Sequence, residues 1–236
     1  MAAEKLVLAN GAWAAGLPEM RMSMVVVSSD MIATEPIPGR LEEIGRTGGE
    51  GLADSQMMVD SYRITRDGRI AFGKGVAGVG FGGRIDGRFD RSARRAAVVA
   101  ADFRHAYPAL SDVRVEHDWS GPIDRTPNSV PIFGHLGGCE HIVYGLGWSG
   151  NGVGPSVVGG KMLASLVLEL DDEWSRSPLV DRSIGRFPPE PIRFLGAQVV
   201  RKAVARKERA ESREETPRAL DVRLAKLAPA GLEDKE

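Results

Sequence analysis

Gly145-Leu-Gly147-Trp-Ser-Gly150-Asn-Gly-Val-Gly-Pro155 is the stretch whose reading decides the fold. Ahead of it, His141-Ile-Val-Tyr-Gly145 reads as a short apolar strand. Behind it, Ser156-Val-Val-Gly-Gly-Lys-Met-Leu-Ala-Ser-Leu-Val-Leu-Glu-Leu170 reads as an apolar helix, with Pro155 well placed at its start. Strand, glycine turn and helix are the parts of an anion site, because the free N–H groups and positive end of a helix suit negative charge or an electron-rich carbonyl. The rest of a βαβ unit is missing. Leu170 is followed by Asp-Asp-Glu-Trp-Ser-Arg-Ser-Pro, not by a second parallel strand ending in a ribose-binding acid. The turn therefore reads as a glycine-lined anion or cofactor site, with tight helix–strand packing as the competing reading.

The G-x-G-x-x-G spacing occurs twice more, at Gly73-Lys-Gly75-Val-Ala-Gly78 and Gly78-Val-Gly80-Phe-Gly-Gly83. Neither opens a helix, so both read as hairpin or bulge glycines. Glycine is abundant, 29 of 236 residues or about 12% against an average near 7%.

Upstream the chain is rich in β signals. Met22 to Thr34 is a β-rich run, and residues 39 to 55 read as loop. Gln56 to Thr65 and Arg69 to Phe72 flank an Asp67-Gly68 hairpin turn. Ser92 is placed to cap a helix through Ala106 that stops before Pro108. Val113 to Trp119 and Val130 to Phe133 are further strands. Glu190 to about Arg213 is a helix with Ile192, Leu195, Val199, Val200 and Ala203 on one face. Beyond residue 205 charge and alanine dominate, which predicts a solvated helix end and a disordered tail. At the other end, Lys5-Leu-Val-Leu-Ala9 has no alternation and reads as a buried strand of a parallel sheet. No parallel neighbours follow, so the chain is expected to open in the middle of a fold, with that strand poorly paired.

The charge balance, 31 Lys+Arg against 32 Asp+Glu, gives no electrostatic case for nucleic acid or an anionic membrane. The longest apolar stretch, Met162 to Leu168, is too short to span a bilayer. With no signal-peptide pattern and one cysteine, Cys139, the expected location is the cytoplasm.

Gly147-Trp-Ser-Gly-Asn-Gly-Val153 and its helix resemble the C-terminal flavin motif of the D-amino-acid-oxidase-like FAD-dependent oxidoreductases, which include glycine, sarcosine and γ-glutamylputrescine oxidases. The resemblance extends to Trp119-Ser-Gly-Pro-Ile-Asp-Arg-Thr-Pro-Asn-Ser-Val-Pro-Ile-Phe-Gly134, which looks like the family's Trp-x-Gly and Thr-Pro-Asp-x-x-Pro-x-x-Gly segment. Asp67-Gly-Arg-Ile-Ala-Phe-Gly73, Met31-Ile-Ala-Thr-Glu-Pro36 and Leu6-Val-Leu-Ala-Asn-Gly-Ala-Trp13 follow the family in the same order, so the match covers most of residues 5 to 205. The family's N-terminal βαβ has no counterpart.

The resemblance implies an α+β fold in four parts. Residues 1–20 are the last strand and turn of an FAD-binding Rossmann-like domain, and 21–135 an antiparallel-sheet substrate domain with one helix. Residues 136–205 are the flavin-contacting strand and helices, and 206–236 the tail. The implied cofactor is FAD. Its contacts are Gly147, Trp148, Ser149, Gly150, Asn151, Gly152 and Val153, with Gly11 and Trp13 as weaker ones; for Trp148 a core aromatic is the competing reading. The implied chemistry is oxidation of a C–N bond in a small amine or amino acid, the flavin accepting the hydride. Alternatives are a non-enzymatic remnant, or a subunit completing its site with a separate FAD-binding polypeptide. Glycine-oxidase-like members carry a carboxylate-clamping arginine where Gly121 stands here, which tilts the reading toward an amine or polyamine; nearby Arg125 is close enough to substitute but reads better as a loop arginine. His105, His117, His135 and His141 lack a partner at metal spacing, and Cys139 lacks a neighbouring base. No catalytic acid, base or metal ligand is nominated.

Overall fold

The computed structural model describes residues 3–75 and 78–229, and in it the chain is a mixed α+β protein. Its elements are β1 (Leu6–Leu8), β2 (Val25–Thr34), α1 (Pro38–Glu43), β3 (Leu52–Ala53), β4 (Asp60–Ile64), β5 (Ile70–Lys74), α2 (Ala93–Ala106), β6 (Val115–Arg125), β7 (Ile132–Leu136), β8 (Cys139–Leu146), α3 (Pro155–Val167), α4 (Ile192–Glu211) and α5 (Ala219–Ala225). Val76 and Ala77, inside the first of the minor glycine motifs, lie outside the described residues.

The larger sheet has the order β3-β4-β5-β2-β6, antiparallel throughout. Alternation sorts its side chains. Ile32, Ile70 and Phe72 point to one face, where Val99 and Phe103 of α2 cover them. Tyr62 stacks on Phe72 with ring centroids 5.0 Å apart. The Asp67-Gly68 hairpin forms as read, with Gly68 at φ +77. Ser92 caps α2, its side chain accepting from the Arg95 N–H.

Charge is buried in the same layer. Asp30, 1% exposed, accepts from Arg95 Nε at 2.7 Å and from Ser28 Oγ at 2.8 Å. Lys74 Nζ lies 3.0 Å from Asp60 Oδ1, 3.1 Å from Gln56 Oε1 and 3.4 Å from Asp102 Oδ2. Glu208 of α4 reaches this region and accepts from the Met58 N–H at 2.6 Å. Burial pushes the Asp60 carboxyl up to about 6, although Lys74 pulls the other way. For Lys74, burial alone would lower the pKa, but the surrounding carboxylates outweigh it and hold it above the ordinary range.

The Asp60 shift has a stability consequence. A carboxyl whose folded pKa lies above its unfolded value binds protons more tightly when folded. Its stabilisation is complete below the unfolded value and is lost as pH rises through about 6. Urea unfolding of wild type against Asp60→Asn should show a difference that changes between pH 4 and 6, by at most about 1.4 kcal/mol per pH unit for one proton. A pH-independent difference across that window would contradict it.

The smaller sheet has the order β1-β8-β7. β1 pairs parallel with β8 (Leu6↔Ile142, Val7↔Val143, Leu8↔Tyr144), and β7 pairs antiparallel with β8. The expected buried strand is thus an edge strand: Leu6 and Val7 are 46% and 42% exposed. Its single pairing agrees with the poor pairing anticipated, while the absence of alternation wrongly suggested burial. Ala12, Ala14 and Ala15 of the 3-10 turn Gly11–Gly16 pack with Met24, Val26, Ile132 and Leu146, joining the two sheets in one core.

Three other expectations fail locally. The 39 to 55 loop contains α1 and β3. Residues 206 to 229 are not a disordered tail: α4 continues to Glu211, and α5 folds back so that Ala225 packs with Val204 and Met58. Residues 230–236 lie outside the described residues. The apolar stripe of α4 is only partly used, since Ala203 and Val204 are buried while Ile192, Leu195 and Val199 are 63%, 59% and 49% exposed.

Candidate functional site

The turn after β8 and the 3-10 turn after β1 lie at the same end of the smaller sheet, because β1 and β8 run parallel. That end is the carboxyl edge of the parallel pair, where open α/β sheets hold their ligands. Gly11 (φ +55) and Trp13, 61% exposed, are therefore on the same edge as Gly147–Val153.

Positive φ angles shape the second turn: Gly147 at +78, Ser149 at +54 and Gly150 at +94. A Cβ on Gly147 would stand 2.4 Å from Thr126 Cγ2, so this position is closed to other residues by sterics as well as by backbone. Gly147 and Ser149 are buried, Gly150 and Asn151 exposed, and Val153 is 95% exposed. The Asn151 N–H returns to Trp148 O at 2.9 Å. The Gly152, Val153 and Gly154 N–H groups find no acceptor among the described residues. Three successive donors thus lie without an acceptor just ahead of the positive end of α3.

Two nominated residues turn their side chains away from the turn's surface, Ser149, whose hydroxyl is bonded inward, and Trp148. Its indole packs edge-on to Phe133, centroids 5.7 Å apart, and lies so close to α3 that a Cβ on Gly159 would be 2.5 Å from it. The core reading holds for its ring, leaving its main chain in the turn.

The sequence reading missed Asp124. This aspartate near the end of β6 is 4% exposed, and its Oδ2 accepts from Gly147 N–H at 2.6 Å. The Trp148 and Ser149 N–H groups also turn to its carboxyl, yet burial outweighs them and raises its pKa. An aspartate two residues ahead of Thr126-Pro127 is the only sequence signal, and exposed aspartates nearby look no different.

Beyond the turn lies the face of the larger sheet that α2 does not cover. Alternation places Val27, Ser29 and Met31 of β2 there, opposite Ile123, Gly121 and Trp119 of β6. Trp119 is 43% exposed, and no atom lies within 4 Å of where a Cβ on Gly121 would be. The stripe leads directly under the turn, since a Cβ on Gly150 would stand 3.3 Å from Ile123 Cδ1. Turn and open sheet face thus adjoin through Gly150 and Ile123, and Val27, Met31 and Trp119 make that face largely apolar. Burial lowers the pKa of Arg125 at the end of β6.

The remaining reactive side chains stay apart. His135 faces Asp181 at 3.6 Å, and His117 is exposed beside Glu116. Cys139 is a free thiol at the start of β8. No cluster of His, Cys, Asp or Glu among the described residues can hold a metal ion. No helix among them is long and apolar enough to cross a membrane.

Comparison with known proteins agrees on one family. The family model described as FAD dependent oxidoreductase matches residues 1–166. The probable oxidoreductase OrdL of Haemophilus influenzae is 28% identical over 179 residues, which are 73% of this chain and 38% of that protein. The gamma-glutamylputrescine oxidoreductase of Escherichia coli is 26% identical over 183 residues, 76% of this chain and 40% of that protein. The chain therefore spans about two fifths of the length of these relatives. Glycine oxidase from Geobacillus kaustophilus superposes with a TM-score of 0.61 at 21% identity, over 78% of this chain and 47% of that one. It supports the fold.

Proposed function

The chain belongs to the FAD dependent oxidoreductase family, and from that premise we propose that it forms the flavin-ring and substrate side of a site that oxidises a C–N bond in an amine or amino acid. The observation that carries the reading is the seating of the Gly147–Val153 turn over the uncovered sheet face, with Gly150 against Ile123. The turn's residues suit the ring. The N–H groups of Gly152–Gly154 and the positive end of α3 offset negative charge that builds up on its pyrimidine side. FAD, when bound, supplies the hydride acceptor.

The chain's own part is to bind and orient. Met31, Trp119 and Val27 give a floor that excludes water and holds the substrate's carbon next to the ring. Gly121 leaves an opening where glycine-oxidase-like relatives place a carboxylate-clamping arginine, which favours an amine, in keeping with the gamma-glutamylputrescine oxidoreductase similarity. The free edge of β1 offers pairing to further strands of a nucleotide-binding sheet, from the same protein or from a separate FAD-binding polypeptide.

The test is titration of FAD, to millimolar, into the isotopically labelled chain. The amide signals of Gly152, Val153 and Gly154 should move together and saturably. Gly150→Val, which puts a β-branched residue at φ +94, should reduce that response at least tenfold. Cys139→Ser should leave it unchanged. Shifts confined to another surface, or none at all, would overturn the reading.

A further inference from the structure

We propose that Asp124 is the positioning residue of this turn: its carboxylate gathers the first N–H groups inward, so that the later ones are presented outward to the flavin. The outward half of the statement rests on the function proposed above; the inward half stands on geometry alone.

Asp124 Oδ2 accepts from Gly147 N–H at 2.6 Å, and the Asp124 carbonyl accepts from Ser149 N–H at 3.3 Å. Ser149 completes the latch. Its Oγ accepts from the Thr126 N–H at 3.2 Å and donates to the Gly147 carbonyl at 3.2 Å. The carboxylate is almost wholly removed from water, and its donors among the described residues are main-chain N–H groups, those of this turn and of Asp124 itself. A buried carboxylate is tolerated when such donors converge on it, and each donor is thereby fixed in direction.

The backbone shows the same constraint. Ser149 holds φ +54, a conformation that is strained for a non-glycine residue and persists only when its surroundings impose it. With the Gly147 and Ser149 N–H groups committed inward and the Asn151 N–H returned to Trp148 O, the donors of the turn left without an acceptor among the described residues are those of Gly150 and Gly152–Gly154. Which donors stay available to a ligand is thus set by where the earlier ones are tied. Asp124 is almost wholly buried, so its influence passes through the turn.

The test uses amide hydrogen exchange of the full chain without flavin, then the FAD titration. Asp124→Ala should speed exchange at Gly147 at least tenfold, and at Ser149 less because the main-chain carbonyl of residue 124 remains, while amides of β2 and α2 keep their protection. Asp124→Asn, which retains one acceptor oxygen, should restore part of that protection. The alanine variant should also weaken the FAD-induced shifts of Gly152–Gly154 at least tenfold, and the asparagine variant less. Unchanged exchange at Gly147 in Asp124→Ala overturns the proposal. If that variant unfolds as a whole, Asp124→Asn decides: local loss confined to the turn supports the assignment, and uniform loss or none overturns it. Wild type that shows no FAD-induced shift contradicts the flavin site itself, and the exchange data still judge the inward latch separately.

Discussion

Lys74→Met should lose about 3–5 kcal/mol of stability at pH 7, the range seen when one member of a buried charge pair is removed. The substitution nearly keeps the length and volume of the side chain, so packing is little disturbed and the effect is electrostatic. What remains is an excess of negative charge. Asp60 is 6% exposed and already protonates near 6; Asp102 Oδ2 is buried with no hydrogen-bond donor of its own among the described residues; Glu208 is 7% exposed. Without the ammonium 3.0 Å from Asp60 and 3.4 Å from Asp102, the negative charge gathered here loses its buried counter-ion. The folded pKa values of Asp60 and Glu208, already raised by burial, rise further above the unfolded ones, so the variant regains stability as pH falls and the deficit should roughly halve by pH 5. Adding Asp60→Asn to Lys74→Met should recover part of the loss at pH 7. Urea unfolding at both pH values measures this. A deficit that is the same at pH 5 and pH 7 would mean that the lysine acts through packing and not through charge.

The elements legible in the sequence share one property: a local signal with a local cause. Asp67-Gly68 dictates its hairpin because only Gly68 takes φ +77 without strain, and Ser92 marks the start of α2 because its hydroxyl meets the Arg95 N–H three residues on. The strand, turn and helix across residues 139–167 were readable for the same reason.

What was misread depends on partners far along the chain. Leu6-Val7-Leu8 is apolar on both sides, which says that a parallel strand prefers cover, not that it has it; here β8 pairs with one edge only. Residues 206 to 225 look like a tail because charge dominates their composition. They fold because Glu208, Val204 and Ala225 each find a partner across α4, α5 and Met58. Asp124 was invisible for a related reason. A lone aspartate acquires its role only when the fold brings Gly147 within 2.6 Å of it, twenty-three residues later. Trp148 could be read as core or contact, and the small space beside Gly159 decides for the core.

Gly147→Ala should cost about 2–5 kcal/mol, and roughly half of that should vanish when Thr126 is shortened. Two effects add at Gly147. Its φ of +78 charges any L-residue roughly 1–2 kcal/mol, and overlap in a packed interior adds about 1–3 kcal/mol more. The overlap is specific, since the new Cβ would lie 2.4 Å from Thr126 Cγ2 and 3.6 Å from Ile132 Cγ1. Thr126 cannot swing aside cheaply: it is fully buried, and its hydroxyl donates to the Val130 carbonyl at 3.0 Å. Thr126→Ser removes the offending methyl, keeps that hydroxyl, and by itself should cost about 1 kcal/mol for the lost burial. In the Thr126→Ser background, Gly147→Ala should therefore cost only the backbone part, about 1–2 kcal/mol. The double-mutant cycle then carries a coupling of about 1–3 kcal/mol. Because Gly147 N–H is the donor nearest to Asp124, the same cycle followed by amide exchange at Gly147 reports on the turn as well as on stability. Additive costs would show that backbone strain alone excludes side chains at this position, and that the fit of the turn against β6 contributes nothing to its shape.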